Sequence, residues 1–125
     1  MKQVMPYLIF PGSCRDALTF YADCLDGEIA SIQTVGESPL GDVPDEHKHR
    51  IFDSEFRADS VKFKASDDLP GHDVAPGSNF AMFVSFSEPA EQEKAFNKLA
   101  EGGQVQFPLE NGFGMLTDKY QIQWM

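Results

Sequence analysis

The feature of this sequence that most constrains its fold is a repeated order of secondary structure. Hydrophobic periodicity and turn residues predict a strand, a helix and three further strands in residues 1–67, and the same order again in residues 77–125. One constant offset along the chain carries Phe20 onto Phe96, although few residues are identical under it. We therefore predict an α+β protein in which two βαβββ modules form a single domain, residues 1–125.

Each module is predicted to begin with a strand that leads into a helix. Residues 5–10 are apolar on both faces, and Ser13 then precedes an apolar stripe with helical spacing that ends at Asp26. Pro89 opens the equivalent helix of the second module, which we expect to run to Ala100. The stripe of the first helix consists of Cys14, Ala17, Leu18, Tyr21, Cys24 and Leu25.

Turn residues and alternation place the other elements. Strands are predicted at residues 28–35, 50–58, 61–66, 79–86, 104–107, 113–117 and 122–125, with a loop at 36–48 and a connection between the modules at 67–78 that contains Pro70 and Pro76. In residues 79–86 the buried face is predicted to carry Phe80, Met82, Val84 and Phe86. In the last hairpin we expect Phe113, Met115, Ile122 and Trp124 on one face, and Leu116, Gln123 and Met125 on the other.

The hairpin of residues 50–66 separates apolar from charged side chains most clearly. A two-residue turn at Asp59 and Ser60 would place Glu55 opposite Lys64 and put Asp53 on the same face as Glu55. Two carboxylates on one face could raise one pKa and make a general base. The simpler interpretation, which we favour, is an ordinary cross-strand ion pair between Glu55 and Lys64.

Composition excludes several classes of protein. Ten Lys and Arg against 20 Asp and Glu give a net charge of -10, which argues against a nucleic-acid partner. The apolar runs are too short to cross a membrane, and no export signal opens the chain, so we expect a cytoplasmic protein. Cys14 and Cys24 would lie about 15 Å apart on one helix, too far for a disulfide, and are expected to be reduced.

Several short blocks resemble the PhnB-like branch of the vicinal oxygen chelate superfamily, which includes glyoxalase I and bleomycin and fosfomycin resistance proteins. The resemblance spans nearly the whole chain. The blocks are Pro6-Tyr7-Leu8-Ile9-Phe10, Ala17-Leu18-Thr19-Phe20-Tyr21, Ser54-Glu55-Phe56, Phe96-Asn97-Lys98-Leu99-Ala100-Glu101-Gly102-Gly103, Phe113-Gly114-Met115-Leu116-Thr117-Asp118-Lys119-Tyr120 and Gln123-Trp124-Met125.

The resemblance implies a curved mixed sheet shaped as a cup, with helices outside, a small-molecule site inside and a homodimer. In catalytic relatives a divalent metal is held in the cup by His or Glu on the first and last strand of each module. Those places hold poor metal ligands here, namely Pro6, Lys64 or Phe63, Asn79 or a residue slightly later, and Met125 or Gln123. We therefore predict no metal and no other cofactor, and we do not extend to this chain the methyltransferase label that some relatives carry.

The function predicted from these patterns is the binding of a small molecule in the cup. The residues expected to contact it are Asp53, Glu55, Asn79, Phe83 and Gln123, with apolar walls from Leu8, Leu116 and Met125. Phe83 and Met125 could equally pack in a dimer interface. His47 and His49 are expected to be surface residues. A metal-dependent enzyme and a protein that sequesters a drug are the alternative functions, and the sequence identifies no catalytic residue and no reaction.

Overall fold

The computed structural model describes residues 1–69 and 71–125, which form two compact units, Met1–Val74 and Ala75–Met125. The first unit contains β1 (Tyr7–Phe10), α1 (Cys14–Leu25), β2 (Glu28–Thr34), β3 (Ile51–Ala58) and β4 (Val61–Asp67). The second contains α2 (Pro89–Ala100), β5 (Gln104–Glu110), β6 (Phe113–Thr117) and β7 (Gln123–Trp124). The α+β class is confirmed, and that the two modules form one domain stays a prediction. No helix in the described part of the chain is long and apolar enough to span a membrane.

The first unit is a four-stranded mixed sheet in the order β1-β4-β3-β2. Strand β1 lies parallel to β4, and the other pairs are antiparallel. The two-residue turn sets the predicted register of the β3–β4 hairpin, with Glu55 opposite Lys64 and Phe56 opposite Phe63. The predicted register of this hairpin is therefore confirmed.

Helix α1 covers one face of this sheet with the stripe that the sequence predicts. Tyr21 of α1 is fully buried and meets the ring of Phe63 edge-on, with 6.0 Å between the ring centroids. Phe63 stacks on Phe56 at a centroid distance of 4.8 Å. Because side chains alternate along a strand, the residues next to Phe56 and Phe63 in the sequence point to the opposite face of the sheet.

The start of α1 is held by a residue distant in sequence. Ser13 occupies the N-cap position, but its side chain makes no capping hydrogen bond. Asp67, at the end of β4, instead accepts hydrogen bonds from the backbone N–H of Cys14 through Oδ1 and of Ile51 through Oδ2, both at 2.9 Å. The cysteine thiols are free and buried, as predicted, and burial raises the pKa of Cys14 to about 12.

The second unit repeats the strand order of the first in a reduced form. Its sheet has the order β5-β6-β7, and Met82 pairs in parallel with Trp124 of β7. The predicted strand at residues 79–86 is wrong, because only this isolated bridge forms. Backbone hydrogen bonds join Met82 to Gln123 and Met125, but Phe80 on the expected buried face is 61% exposed.

Two further details of the second unit differ from the prediction. Strand β5 continues past residue 107 to Glu110, because Pro108 lies on the outer strand of the described sheet, where a missing N–H is tolerated. In the last hairpin Leu116 lies directly opposite Trp124, and both are buried. Residues directly opposite each other share a face, so placing them on opposite faces was wrong. Pro70, which belongs to the predicted connection between the modules at residues 67–78, lies outside the described residues.

Candidate functional site

The first sheet carries a polar face on the side away from α1. We call Tyr7, Asp53, Glu55, Arg57 and Lys64 the polar face. Tyr7 and Lys64 are direct neighbours across the parallel β1–β4 pair, and Glu55 lies opposite Lys64 on β3. Since none of these five side chains is fully buried, the face can meet a ligand.

A hydrogen-bonded group stands at the centre of the polar face. Asp53 Oδ1 accepts a hydrogen bond from the Tyr7 hydroxyl at 3.0 Å. Asp53 Oδ2 accepts one from Lys64 Nζ at 2.8 Å, which also makes an ion pair. Lys64 Nζ lies 5.9 Å from the centroid of the Tyr7 ring, within reach of a cation–π interaction. We call these three residues the Tyr7–Asp53–Lys64 group.

The electrostatics of this group favour a protonated tyrosine and an ionised ion pair. Partial burial raises the pKa of Tyr7, and the nearby Asp53 carboxylate adds to this effect. Partial burial also acts to raise the pKa of Asp53, but the hydrogen bonds from Lys64 and Tyr7 outweigh it and hold that pKa below its usual value. The hydrogen bond to Asp53 raises the pKa of Lys64. Near neutral pH the group therefore presents one hydroxyl, one ammonium and one carboxylate.

Both interpretations of the paired carboxylates need correction. Asp53 cannot be a general base with a raised pKa, because its pKa is lowered. The cross-strand ion pair is also wrong in its partners, since Glu55 accepts a hydrogen bond from Arg57 Nε at 2.7 Å while Lys64 binds Asp53. Long side chains reach diagonal neighbours on a sheet, so the residue directly opposite is not the obligatory partner.

The other predicted contact residues belong to the second unit. The Gln123 side-chain amide donates hydrogen bonds to the backbone oxygens of Phe80 at 2.6 Å and Gly77 at 3.3 Å. Asn79 is exposed, and Phe83 is 71% exposed. Their convergence with Asp53 and Glu55 on one ligand stays a prediction.

Two of the predicted apolar walls are core residues instead. Leu8 and Leu116 are both buried, so neither lies on an open face of its sheet. Leu8 pairs with Ala65, which is itself fully buried, and the exposed neighbours on β1 are Tyr7 and Ile9. The error arose because residues 5–10 are apolar throughout and show no alternation from which a face could be assigned.

The second unit contains an apolar cavity beside α2. Its volume is about 160 Å³, and its wall includes Phe96 and Leu99 of α2 and Leu116 and Trp124 of the sheet. Phe83 also borders it. The predicted ligand residue Phe83 therefore lies at the rim of a cavity on the helix side of this sheet, which the sequence pattern did not predict.

The polar face does not fit a divalent metal. Among the described residues no three His, Cys, Asp or Glu side chains are grouped so that they could hold a metal ion. The neighbouring positions on β1 and β4 present a tyrosine hydroxyl and an ammonium, and a positively charged ammonium cannot donate an electron pair to a cation. His47 belongs to a short 3₁₀ turn outside β1 and β4, and its Nε2 lies 3.5 Å from Glu46 Oε1.

Sequence reasoning missed three residues that organise these features. Tyr7 and Lys64 were not proposed as ligand contacts, although they flank Asp53 on the polar face. Asp118 is 1% exposed and accepts a hydrogen bond from Trp124 Nε1 at 2.8 Å. The position of Asp118 just before the last turn was the signal that could have identified it, since Asp commonly binds backbone N–H groups in turns.

Comparison with known proteins identifies the family. The model of the family described as 3-demethylubiquinone-9 3-methyltransferase matches residues 2–125. The chain belongs to this family. It is 26% identical over 134 residues to the protein YjdN of Escherichia coli, covering 96% of this chain and 90% of YjdN. The resemblance to the PhnB-like branch is thereby confirmed.

Solved structures agree with this assignment. The protein PA1353 of Pseudomonas aeruginosa is 34% identical, with a TM-score of 0.86 and coverage of 100% of this chain and 96% of that one. A PhnB protein of Bacillus cereus is 25% identical, with a TM-score of 0.81 and coverage of 98% and 96%. The fosfomycin resistance protein FosX of Mesorhizobium loti, at 9% identity and a TM-score of 0.62 with coverage of 98% and 87%, shares the fold alone.

Proposed function

We propose that this PhnB-like protein binds a small, partly apolar molecule and does so without a divalent metal. The observation that carries the proposal is the Tyr7–Asp53–Lys64 group, in which the protein itself supplies the positive charge on the polar face. The residues proposed to contact the ligand are Asp53, Glu55, Asn79, Phe83 and Gln123, together with Tyr7 and Lys64.

The chemistry of the group indicates the polar part of the ligand. A lysine ammonium has three N–H donors, and Lys64 can bind a ligand oxygen while it keeps its hydrogen bond to Asp53. The Tyr7 hydroxyl, whose pKa burial raises further above neutral pH, donates its proton to Asp53 and can offer a ligand its acceptor lone pairs. A carbonyl, carboxylate or phosphonate oxygen next to an apolar part fits this arrangement best.

We also propose that the protein is a homodimer in the cytoplasm. Phe80 and Phe107 of the second unit are both more than half exposed, and exposed aromatic side chains are enriched in interfaces between subunits. Neither buried cysteine is in a disulfide, which is compatible with a reducing compartment. Sedimentation equilibrium is expected to give twice the mass of the chain, and a monomer at all concentrations would contradict this part of the proposal.

A metal-dependent enzyme of the superfamily type is not supported, because its ligands have no counterparts at the β1 and β4 positions. The family's description mentions a methyltransferase, but it assigns methyl transfer to no residue of this chain. The first sheet has a single parallel pair and is not a doubly wound sheet, the fold in which a glycine-rich turn commonly holds a nucleotide.

The proposal is tested first by a thermal-shift screen of metabolites and antibiotics on chelator-treated protein. A ligand at a hundredfold its Kd stabilises the native state by about 2.7 kcal/mol, which such a screen detects easily. For a ligand found in this way, Lys64→Met is expected to weaken binding roughly 10- to 100-fold, because a charge-assisted hydrogen bond is lost. Isothermal titration calorimetry measures the effect.

Lys62→Met is the matched control. Lys62 lies on the same strand as Lys64, but the hydrogen bond to Asp53 comes from Lys64. The Kd of this control is expected to stay within about twofold of the original. Combined replacement of Asn79 and Phe83 by alanine tests the contribution of the second unit. A screen in which no compound raises the melting temperature, or equal binding by Lys64→Met and the original protein, would contradict the proposal.

A further inference from the structure

The cavity beside α2 differs in chemistry from the polar face. Five aromatic rings contribute to its wall, those of Phe83, Phe86, Phe96, Phe113 and Trp124. Leu99, Leu109 and Leu116 also line it. No Lys, Arg, Asp or Glu is among the described residues that line it, so nothing in this wall would repay the desolvation of a charged ligand.

The polar groups that reach the cavity are few and are partly engaged. Gln92 of α2 donates a hydrogen bond from Nε2 to the backbone oxygen of Gly112 at 2.9 Å, which ties the helix to the β5–β6 turn. Ser85 adds a hydroxyl in the exposed part of the wall. A bound molecule would therefore meet a mainly apolar wall with a smaller polar part.

The size of the cavity indicates what it can hold. A cavity of about 150 Å³ lined by Leu, Ile and Phe excludes water and takes up benzene. The cavity beside α2 has nearly the same volume, about 160 Å³, and a mainly apolar wall that is partly open to solvent. The missing side chain of Gly114 does not enlarge the cavity, because the ring of Phe96 already fills that position. A Cβ on Gly114 would lie only 2.7 Å from this ring.

We propose that this cavity is a second binding site, which takes an uncharged molecule the size of a single aromatic ring. The site is formed within the second unit and does not depend on the Tyr7–Asp53–Lys64 group. It is not assigned by the proposed function, which concerns a ligand with a polar oxygen on the polar face of the first unit. The two sites have in common only Phe83, which lies at the rim of the cavity.

The single tryptophan of the chain makes the proposal directly testable. Trp124 lines the cavity and is only 2% exposed. Iodobenzene, a heavy-atom quencher with the size of one ring, is expected to quench its fluorescence along a saturable curve. Aqueous iodide is expected to quench it weakly, because the indole is buried.

Leu109→Phe is expected to weaken iodobenzene binding roughly tenfold or more, since the added ring occupies the cavity. Val105→Phe is the matched control, because Val105 lies on the same strand, is exposed and does not line the cavity. Should Leu109→Phe fail to fold by circular dichroism, Val84→Ile narrows the same cavity with one methylene group. Saturable quenching that is lost in the narrowed variant and kept in Val105→Phe supports the proposal.

Two results would overturn it. The first is quenching that rises linearly with iodobenzene and never saturates, and the second is unchanged affinity in the variants that narrow the cavity. Lys64→Met separates this site from the proposed function. The variant is expected to keep its affinity for iodobenzene whether or not it loses the ligand of the polar face.

Discussion

Replacing Asp118 by alanine is expected to lower the free energy of unfolding by roughly 3 to 5 kcal/mol, because several donors lose a buried acceptor at once. Asp118 Oδ2 accepts the hydrogen bond of Trp124 Nε1. Asp118 Oδ1 accepts those of the backbone N–H groups of Tyr120 at 2.7 Å and Ile122 at 3.2 Å. Urea denaturation followed by circular dichroism measures the loss.

The matched variant for this residue is Asp118→Asn. Its amide oxygen can still accept the two backbone hydrogen bonds, but its NH₂ group then faces the indole N–H of Trp124. We expect a smaller loss than for alanine, and adding Trp124→Phe should cost less than the sum of the two single changes. A loss below about 1 kcal/mol for Asp118→Ala would show that this carboxylate does not organise the last turn.

The second large effect is expected for Phe63→Ala, at about 3 to 5 kcal/mol. Phe63 is fully buried between the ring of Phe56 and the edge of Tyr21, so its removal leaves a cavity between α1 and the sheet. Chemical denaturation of the variant gives the value. Ile9→Ala is the control, since Ile9 lies in the same unit and is half exposed, and equal losses for the two would contradict this placement of the core.

The two hairpins show which registers a sequence can predict. The β3–β4 turn has only two residues, and this length left one register that buried the phenylalanines, so the prediction succeeded. The turn before β7 is longer and depends on the buried Asp118 and on Gln121, which adopts a positive φ of 72°. Alternation alone could not reveal this geometry, and the predicted faces of Leu116 and Trp124 were wrong.

The polar face could be predicted only in part, for a similar reason. Alternation along the hairpin placed Asp53 and Glu55 on the same face, as the structure has them. The choice of ion-pair partner depends on diagonal distances across the twisted sheet, which the sequence does not contain. Tyr7 was missed because its neighbours in β1 are apolar on both faces.

We propose that a ligand binds at the polar face with a protein ammonium in the place of a metal. The most direct test is a calorimetric titration of chelator-treated protein with the ligand from the screen, repeated after addition of Mn²⁺ or Zn²⁺. We expect the same Kd, within about twofold, in all three titrations. Binding that appears only when the metal is present would contradict it.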